Sequence, residues 1–189
     1  LADQTKDLKA QRQERSGAIQ ALASQRKTKA AQQQALLADS ERLRLLLNQL
    51  RRQTSVLDGS DFAAAKGRLP RPLNGKIRHR FGDSRAGTNL NWRGIDLSGT
   101  IGADVTAVFR GKVIFSDWLR GFGLIAIVDH GDGYMTLYGH ADALTKEAGD
   151  WVESGETLAR AGNSGGGYEP GIYFELRHQG AVQNPQQWL

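Results

Sequence analysis

Leu124-Ile-Ala-Ile-Val-Asp-His-Gly-Asp-Gly-Tyr-Met-Thr-Leu-Tyr138 is the stretch that decides the fold class. Leu124 to Val128 is apolar at every position and rich in β-branched residues, which describes a strand covered on both faces and therefore central in its sheet. Asp132-Gly133 then supplies a two-residue hairpin turn into a return strand, Tyr134 to Tyr138. Further short runs flank this hairpin: Val105 to Val108, Lys112 to Phe115 and Ile172 to Leu176, each bounded by glycine. Of the 23 glycines, 20 lie between residues 70 and 189, so turn chemistry is concentrated there. The pattern predicts a mainly β, antiparallel-sheet domain over residues 73–189.

Upstream the composition changes. Residues 1–57 are dominated by Ala, Gln, Leu, Lys and Arg without a proline, the composition of a long helical arm. Leucine recurs on one seven-residue register at positions 1, 8, 22, 36, 43, 50 and 57, interrupted by Arg15 and Lys29. The second seam that a two-stranded coil needs is poor, being mostly glutamine, so residues 1–32 read as the end of a coiled coil with a weak seam. Residues 36–57 carry a broader apolar face, including Leu36, Leu43, Leu46, Leu47, Leu50, Val56 and Leu57. Such a face is either a coiled-coil or dimer seam, or it folds back onto the β domain. Asp58-Gly59-Ser60 ends the arm, and residues 58–72 read as a linker in which Phe62 to Lys66 is one helical turn or part of a hinge.

The charge balance narrows the function classes. The net charge is +5, but residues 1–69 hold 13 Lys/Arg against 7 Asp/Glu while residues 70–189 hold 12 against 13. A basic excess on a helical arm without interleaved aromatics does not describe a nucleic-acid binder. With no cysteine there is neither a disulfide framework nor a thiolate metal site. No apolar run reaches the length of a membrane span. The chain opens in helix-like sequence without a signal peptide, and an export signal is expected upstream.

Two short motifs carry the functional reading: Trp92-Arg-Gly-Ile-Asp96 and Pro170-Gly-Ile-Tyr-Phe-Glu175. Between them come Asp104 to Val108, Gly111-Lys-Val113, Gly121-Phe-Gly123, Asp129-His-Gly-Asp-Gly133, Tyr138-Gly-His140 and Gly149-Asp-Trp-Val152. In order and spacing this series resembles the lysostaphin-like (LytM-type) zinc endopeptidases, and within them the catalytically dead EnvC-like branch, in which a coiled coil precedes a degenerate LytM domain. The resemblance covers roughly residues 70–189. It implies that Trp92, Gly171 and Tyr173 stand where the active enzymes carry histidines, that Asp96 is the surviving ligand, and that His140 matches a catalytic histidine. A catalytic zinc needs about three protein ligands, so no metal and no cofactor is expected. His79, His130 and His178 are not expected to rebuild the site.

The resemblance also implies a groove. With Tyr173 facing it, strand alternation puts Gly171, Glu175 and Arg177 on the same side and Ile172, Phe174 and Leu176 in the core. Asp96 faces the groove while Ile95 and Leu97 pack inward. The expected partner-binding groove comprises Trp92, Arg93, Asp96, Phe122, His140, Tyr173 and Arg177, with Gly162 to Gly167 as its rim. Packing alone could also account for Trp92 and Tyr173, and an ordinary ion pair with Arg93 or His140 for Asp96. The branch implies a non-catalytic activator of periplasmic zinc-dependent N-acetylmuramoyl-L-alanine amidases in septal peptidoglycan splitting, in a Gram-negative bacterium. Its implied upstream partner is an FtsEX-type division complex acting through the coiled coil, and peptidoglycan is a further partner. Leu36, Leu43, Leu46, Leu47 and Leu50 would form a regulatory helix that covers the groove at rest. The alternatives are a peptidoglycan-binding module without activator role and an atypical zinc endopeptidase.

Overall fold

The computed structural model describes residues 2–53, 60–165 and 169–189, and within the first segment the side chains at positions 15, 18 and 21–52. Val56, Leu57 and the expected helix stop at Asp58-Gly59 lie outside the described residues, as do Gly166 and Gly167 of the expected rim. Helix α1 (Ala2–Gln53) is followed by the short α2 (Ser60–Ala64) and by β1 (Ile77–His79), β2 (Ile95–Ser98), β3 (Asp104–Thr106), β4 (Gly111–Leu119), β5 (Gly123–Gly131) and β6 (Tyr134–Ala141). Then come β7 (Ala143–Leu144), β8 (Trp151–Val152), β9 (Thr157–Arg160), β10 (Gly171–His178), β11 (Ala181–Gln183) and a closing 3₁₀ turn, Pro185–Gln187.

The large sheet runs β1-β2-β10-β6-β5-β4-β8, with β11 also paired to β10, and its pairings are antiparallel. The antiparallel β domain behind a long helix is the architecture the sequence predicts. Asp132 and Gly133 take φ of 48° and 78°, the left-handed pair that a type I′ hairpin turn between β5 and β6 requires. A small sheet, β3-β9-β7, lies against one face of the large one. Ala126, Val128, Tyr138, Ile172, Phe174 and Leu176 from the large sheet bury there with Val105, Leu158 and Ala159 from the small one.

The segment expected as a linker joins this core. Phe62 of α2 is fully buried, stacked on His130 at 4.5 Å and edge-on to Phe109 at 5.3 Å, and Leu69 is buried with it. An aromatic residue surrounded by rings gains more from burial than a hinge would gain from freedom.

The opposite face of the large sheet is covered by α1. Ile125, Ile127, Met135 and Leu137 are buried under Leu43 and Leu47, with Leu46, Leu50, Ile114, Phe115, Leu119 and Phe122 around them. This is why Leu124 to Val128 is apolar on both faces: Ala126 and Val128 serve the inter-sheet core, Ile125 and Ile127 the helix. Along α1 the shielded positions 33, 36, 39, 40, 43, 46, 47 and 50 follow one another at steps of three or four residues or side by side, the spacing of one helix face. Residues 21–32 are exposed throughout, and so are Leu45 and Leu37, the latter at the edge of the helix where it meets the sheet. Among the described residues no helix is long and apolar enough to cross a membrane.

Candidate functional site

The expected groove lies on the large sheet where β2, β10 and β6 run side by side. Tyr173 of β10 pairs with Asp96 of β2 on one side and with Gly139 of β6 on the other, which brings the two motifs into register. Trp92, Arg93, Phe122, His140, Tyr173 and Glu175 line a cavity of about 330 Å³, and α1 closes it with Leu36, Leu37, Asp39, Ser40 and Leu43. Five of the seven expected groove residues therefore share this cavity. Asp96 and Arg177 stand on the same sheet but outside its lining.

Trp92 is nearly buried, with the His79 ring stacked on it at 4.6 Å and the Arg85 guanidinium over it at 4.2 Å. Tyr173 sits between Trp92, Phe122 and His140, its ring 6.1, 5.8 and 6.0 Å from theirs. His140 holds a left-handed backbone with φ of 65°, uncommon for a residue with a side chain. Its main-chain N–H donates to the Phe122 carbonyl at 2.7 Å, and its Nδ1 donates to the Ser164 carbonyl at 3.0 Å. Burial pushes its pKa down to about 4, so the ring is neutral at pH 7.

Next along β10 is a buried polar ladder. The Tyr173 hydroxyl donates to Glu175, whose other carboxylate oxygen accepts from Arg177 Nε. Arg177 Nη1 donates to the Gly180 carbonyl at 3.1 Å, while Nη2 is buried without a hydrogen-bond partner among the described residues. Desolvation, reinforced by the Glu175 charge, raises the Tyr173 pKa well above its ordinary value and keeps the hydroxyl a donor. The alternation Tyr173, Glu175, Arg177 confirms the expected face of β10, but Arg177 is a buried ion-pair member and not the solvated groove residue its charge suggests.

Asp96 has a partner that sequence reasoning missed. Arg78 of β1 grips both its oxygens, Nε to Oδ2 and Nη2 to Oδ1, each at 2.8 Å. The bidentate ion pair is thus made with Arg78, while Arg93 is exposed and His140 feels the Asp96 charge. Arg78 lies 18 residues from Asp96 in a three-residue strand, and no spacing rule links them. The positions that the resemblance matches to the histidines and the aspartate of the active enzymes carry a carboxylate committed to a guanidinium (Asp96), an indole (Trp92), a phenol committed to Glu175 (Tyr173) and a glycine (Gly171). Among the described residues no group of three or more His, Cys, Asp or Glu could hold a metal. The donor set does not fit zinc.

The chain is 40% identical over 128 residues to the murein hydrolase activator EnvC of Escherichia coli K12, a match covering 68% of this chain and 30% of that protein. It is 32% identical over 119 residues to the murein hydrolase activator NlpD of the same organism, covering 62% of this chain and 30% of the relative. It thus spans less than a third of the length of these curated relatives. A crystal structure of a zinc-containing peptidase from Vibrio cholerae is similar at a TM-score of 0.59 and 25% identity, over 64% of this chain and 40% of that one. The family model described as Peptidase family M23 matches residues 90–185, just over half of the chain, from the strand bearing Asp96 to beyond the strand bearing Tyr173. By that match, the chain belongs to peptidase family M23.

Proposed function

We propose that this chain is a non-catalytic member of its family: an activator of periplasmic N-acetylmuramoyl-L-alanine amidases in septal peptidoglycan splitting, held at rest by its own helix. The observation that carries the reading is the seat of α1, whose Leu43 and Leu47 are 1% and 2% exposed against the sheet while Leu36, Asp39 and Ser40 roof the cavity over Tyr173 and His140. A groove that closes on a helix has the shape and apolar floor to accept a helix from another protein. The names of the relatives EnvC and NlpD, murein hydrolase activators, support the same reading. Zinc and hydrolysis would belong to the amidase.

Activation is then a population shift. Burying Leu43 and Leu47 contributes roughly 3–6 kcal/mol gross, and about 2.7 kcal/mol net suffices to hold a lid 99% closed. An FtsEX-type complex pulling on the exposed part of α1 would uncover Trp92, Arg93, Phe122, His140 and Tyr173 together with Ile125, Ile127, Met135 and Leu137. The periplasm of a Gram-negative bacterium is the matching compartment.

The test is dye release from labelled peptidoglycan by a cognate amidase, with the intact chain compared with its Leu43→Glu/Leu47→Glu variant. Charges on the buried face release the helix, and stimulation at least tenfold above the unsubstituted chain is expected. If neither protein stimulates, the activator reading fails, and retention of the chain on isolated sacculi would then favour the wall-binding alternative.

A further inference from the structure

Asp96 is nine-tenths buried, and a buried carboxylate without a counter-charge is costly. In a zinc enzyme the metal would supply that charge and at the same time tie the strand bearing the aspartate to the strand bearing the histidines. Both duties have a visible holder here. The Arg78 side chain, 19% exposed, holds both oxygens of the Asp96 carboxylate through two 2.8 Å bonds. Its remaining N–H groups reach the chain just before β10: Nη1 donates to the Pro170 carbonyl at 2.9 Å and Nη2 to the Glu169 carbonyl at 3.0 Å. One side chain therefore spans β1, β2 and the start of β10. The Glu169 carboxylate, 3.4 Å away and largely solvated, adds little.

Gly171 completes the arrangement. A Cβ at this position would lie 2.0 Å from the Leu97 carbonyl oxygen of β2 and 2.7 Å from Arg78 Nη2. The backbones of β2 and β10 have closed over the space a ligand side chain would need, and the guanidinium stands beside it. A Cβ at Gly94 would likewise lie 2.2 Å from the Phe174 carbonyl oxygen, so the two strands are in close contact along this seam.

We propose that Arg78 is the resident cation of this site: it neutralises Asp96 and clamps β2 to the start of β10, so that the groove keeps its shape with no metal. A planar fork with five donors suits this task, since it satisfies both carboxylate oxygens and two carbonyls at once. The inference goes beyond the activator reading and does not depend on it, because a wall-binding module would need the same clamp.

The test is urea and thermal unfolding of the whole chain, as the unsubstituted protein and as Arg78→Ala, Asp96→Ala, the double variant and Arg78→Lys, each with EDTA and with added zinc chloride. Arg78→Ala is expected to lower the midpoint by about 10 °C, by analogy with other broken buried pairs. The double variant should lose less than the two single losses combined. Arg78→Lys, which keeps the charge but not the fork, should fall between. The unsubstituted midpoint should be the same in EDTA and in zinc. Additive losses in the double variant would overturn the proposal, and so would a zinc-dependent rise in the unsubstituted protein. If Arg78→Ala does not fold, Arg78→Lys and Asp96→Ala carry the comparison: equal midpoints for Arg78→Lys and the unsubstituted chain would overturn it equally. None of these readouts involves an amidase, so their failure is separable from failure of the activator reading.

Discussion

Asp39 of α1 lies so close over Gly121 that a Cβ at Gly121 would come within 2.5 Å of the Asp39 carboxyl carbon. Gly121 also holds φ of +85°, a conformation that disfavours any side chain. Gly121→Ala should therefore lift the helix from the loop between β4 and β5. Hydrogen exchange of α1 amides between residues 36 and 50 is expected to accelerate at least tenfold, about 1.4 kcal/mol, while β5 amides keep their protection. Unchanged exchange in α1 would show that Asp39 can move aside without cost.

Phe62 is enclosed by Phe109, His130, Tyr134 and Trp188 at ring distances of 4.5 to 5.3 Å. Phe62→Ala should cost about 3–5 kcal/mol, read as a shift of the urea midpoint at unchanged slope. A hinge residue would shift it by a few tenths only. The same contacts warn against truncating the chain at residue 70 when testing the β domain alone.

Tyr173→Phe removes one donor to the buried Glu175 and nothing else. A hydrogen bond to a charged group is worth about 1.5–3 kcal/mol, and a loss of that size is expected in unfolding experiments. Arg177→Ala is predicted to be harsher, about 3–5 kcal/mol, because it leaves a carboxylate that is 1% exposed without its cation. Any loss of activation in Arg177→Ala has to be read beside its thermal midpoint.

Two imidazoles make stability depend on pH. Burial depresses His130 and His140 from 6.5 to about 4. As pH falls below 6.5 the unfolded chain takes up protons that the folded chain refuses, so stability is full above about pH 6.5 and lost on the way down to pH 4. At pH 5 each ring should account for about 2 kcal/mol of lost stability. His140→Asn, which tolerates the left-handed backbone, should remove about half of the decline between pH 7 and pH 5. A midpoint independent of pH over that range would contradict the burial of both rings.

The hairpin, the central strand and the inward positions of Ile172, Phe174 and Leu176 were legible because apolar alternation and an Asp-Gly turn are local signals. The helix face was legible for the same reason: Leu36, Leu43, Leu46, Leu47 and Leu50 occupy the shielded positions. Arg78 was not, since its meeting with Asp96 depends on β1 pairing with β2 across a long loop. Nor was the burial of Arg177: its partners Glu175 and the Gly180 carbonyl lie close in sequence, but alternation gives only the face of a strand and not how deeply that face is covered. Phe62 was ambiguous because a single aromatic in a polar stretch looks the same whether it meets a core or a solvent.

α1 is one uninterrupted rod from Ala2 to Gln53, with Gly17 as its only glycine and no proline. From Gly17 to Leu43 such a rod extends about 39 Å. Under the proposed restraint it would work as a crowbar: sideways force applied near its far end would be multiplied where Leu43 and Leu47 seat it, and a small tilt there would swing both off the sheet while the strand pairings stay intact.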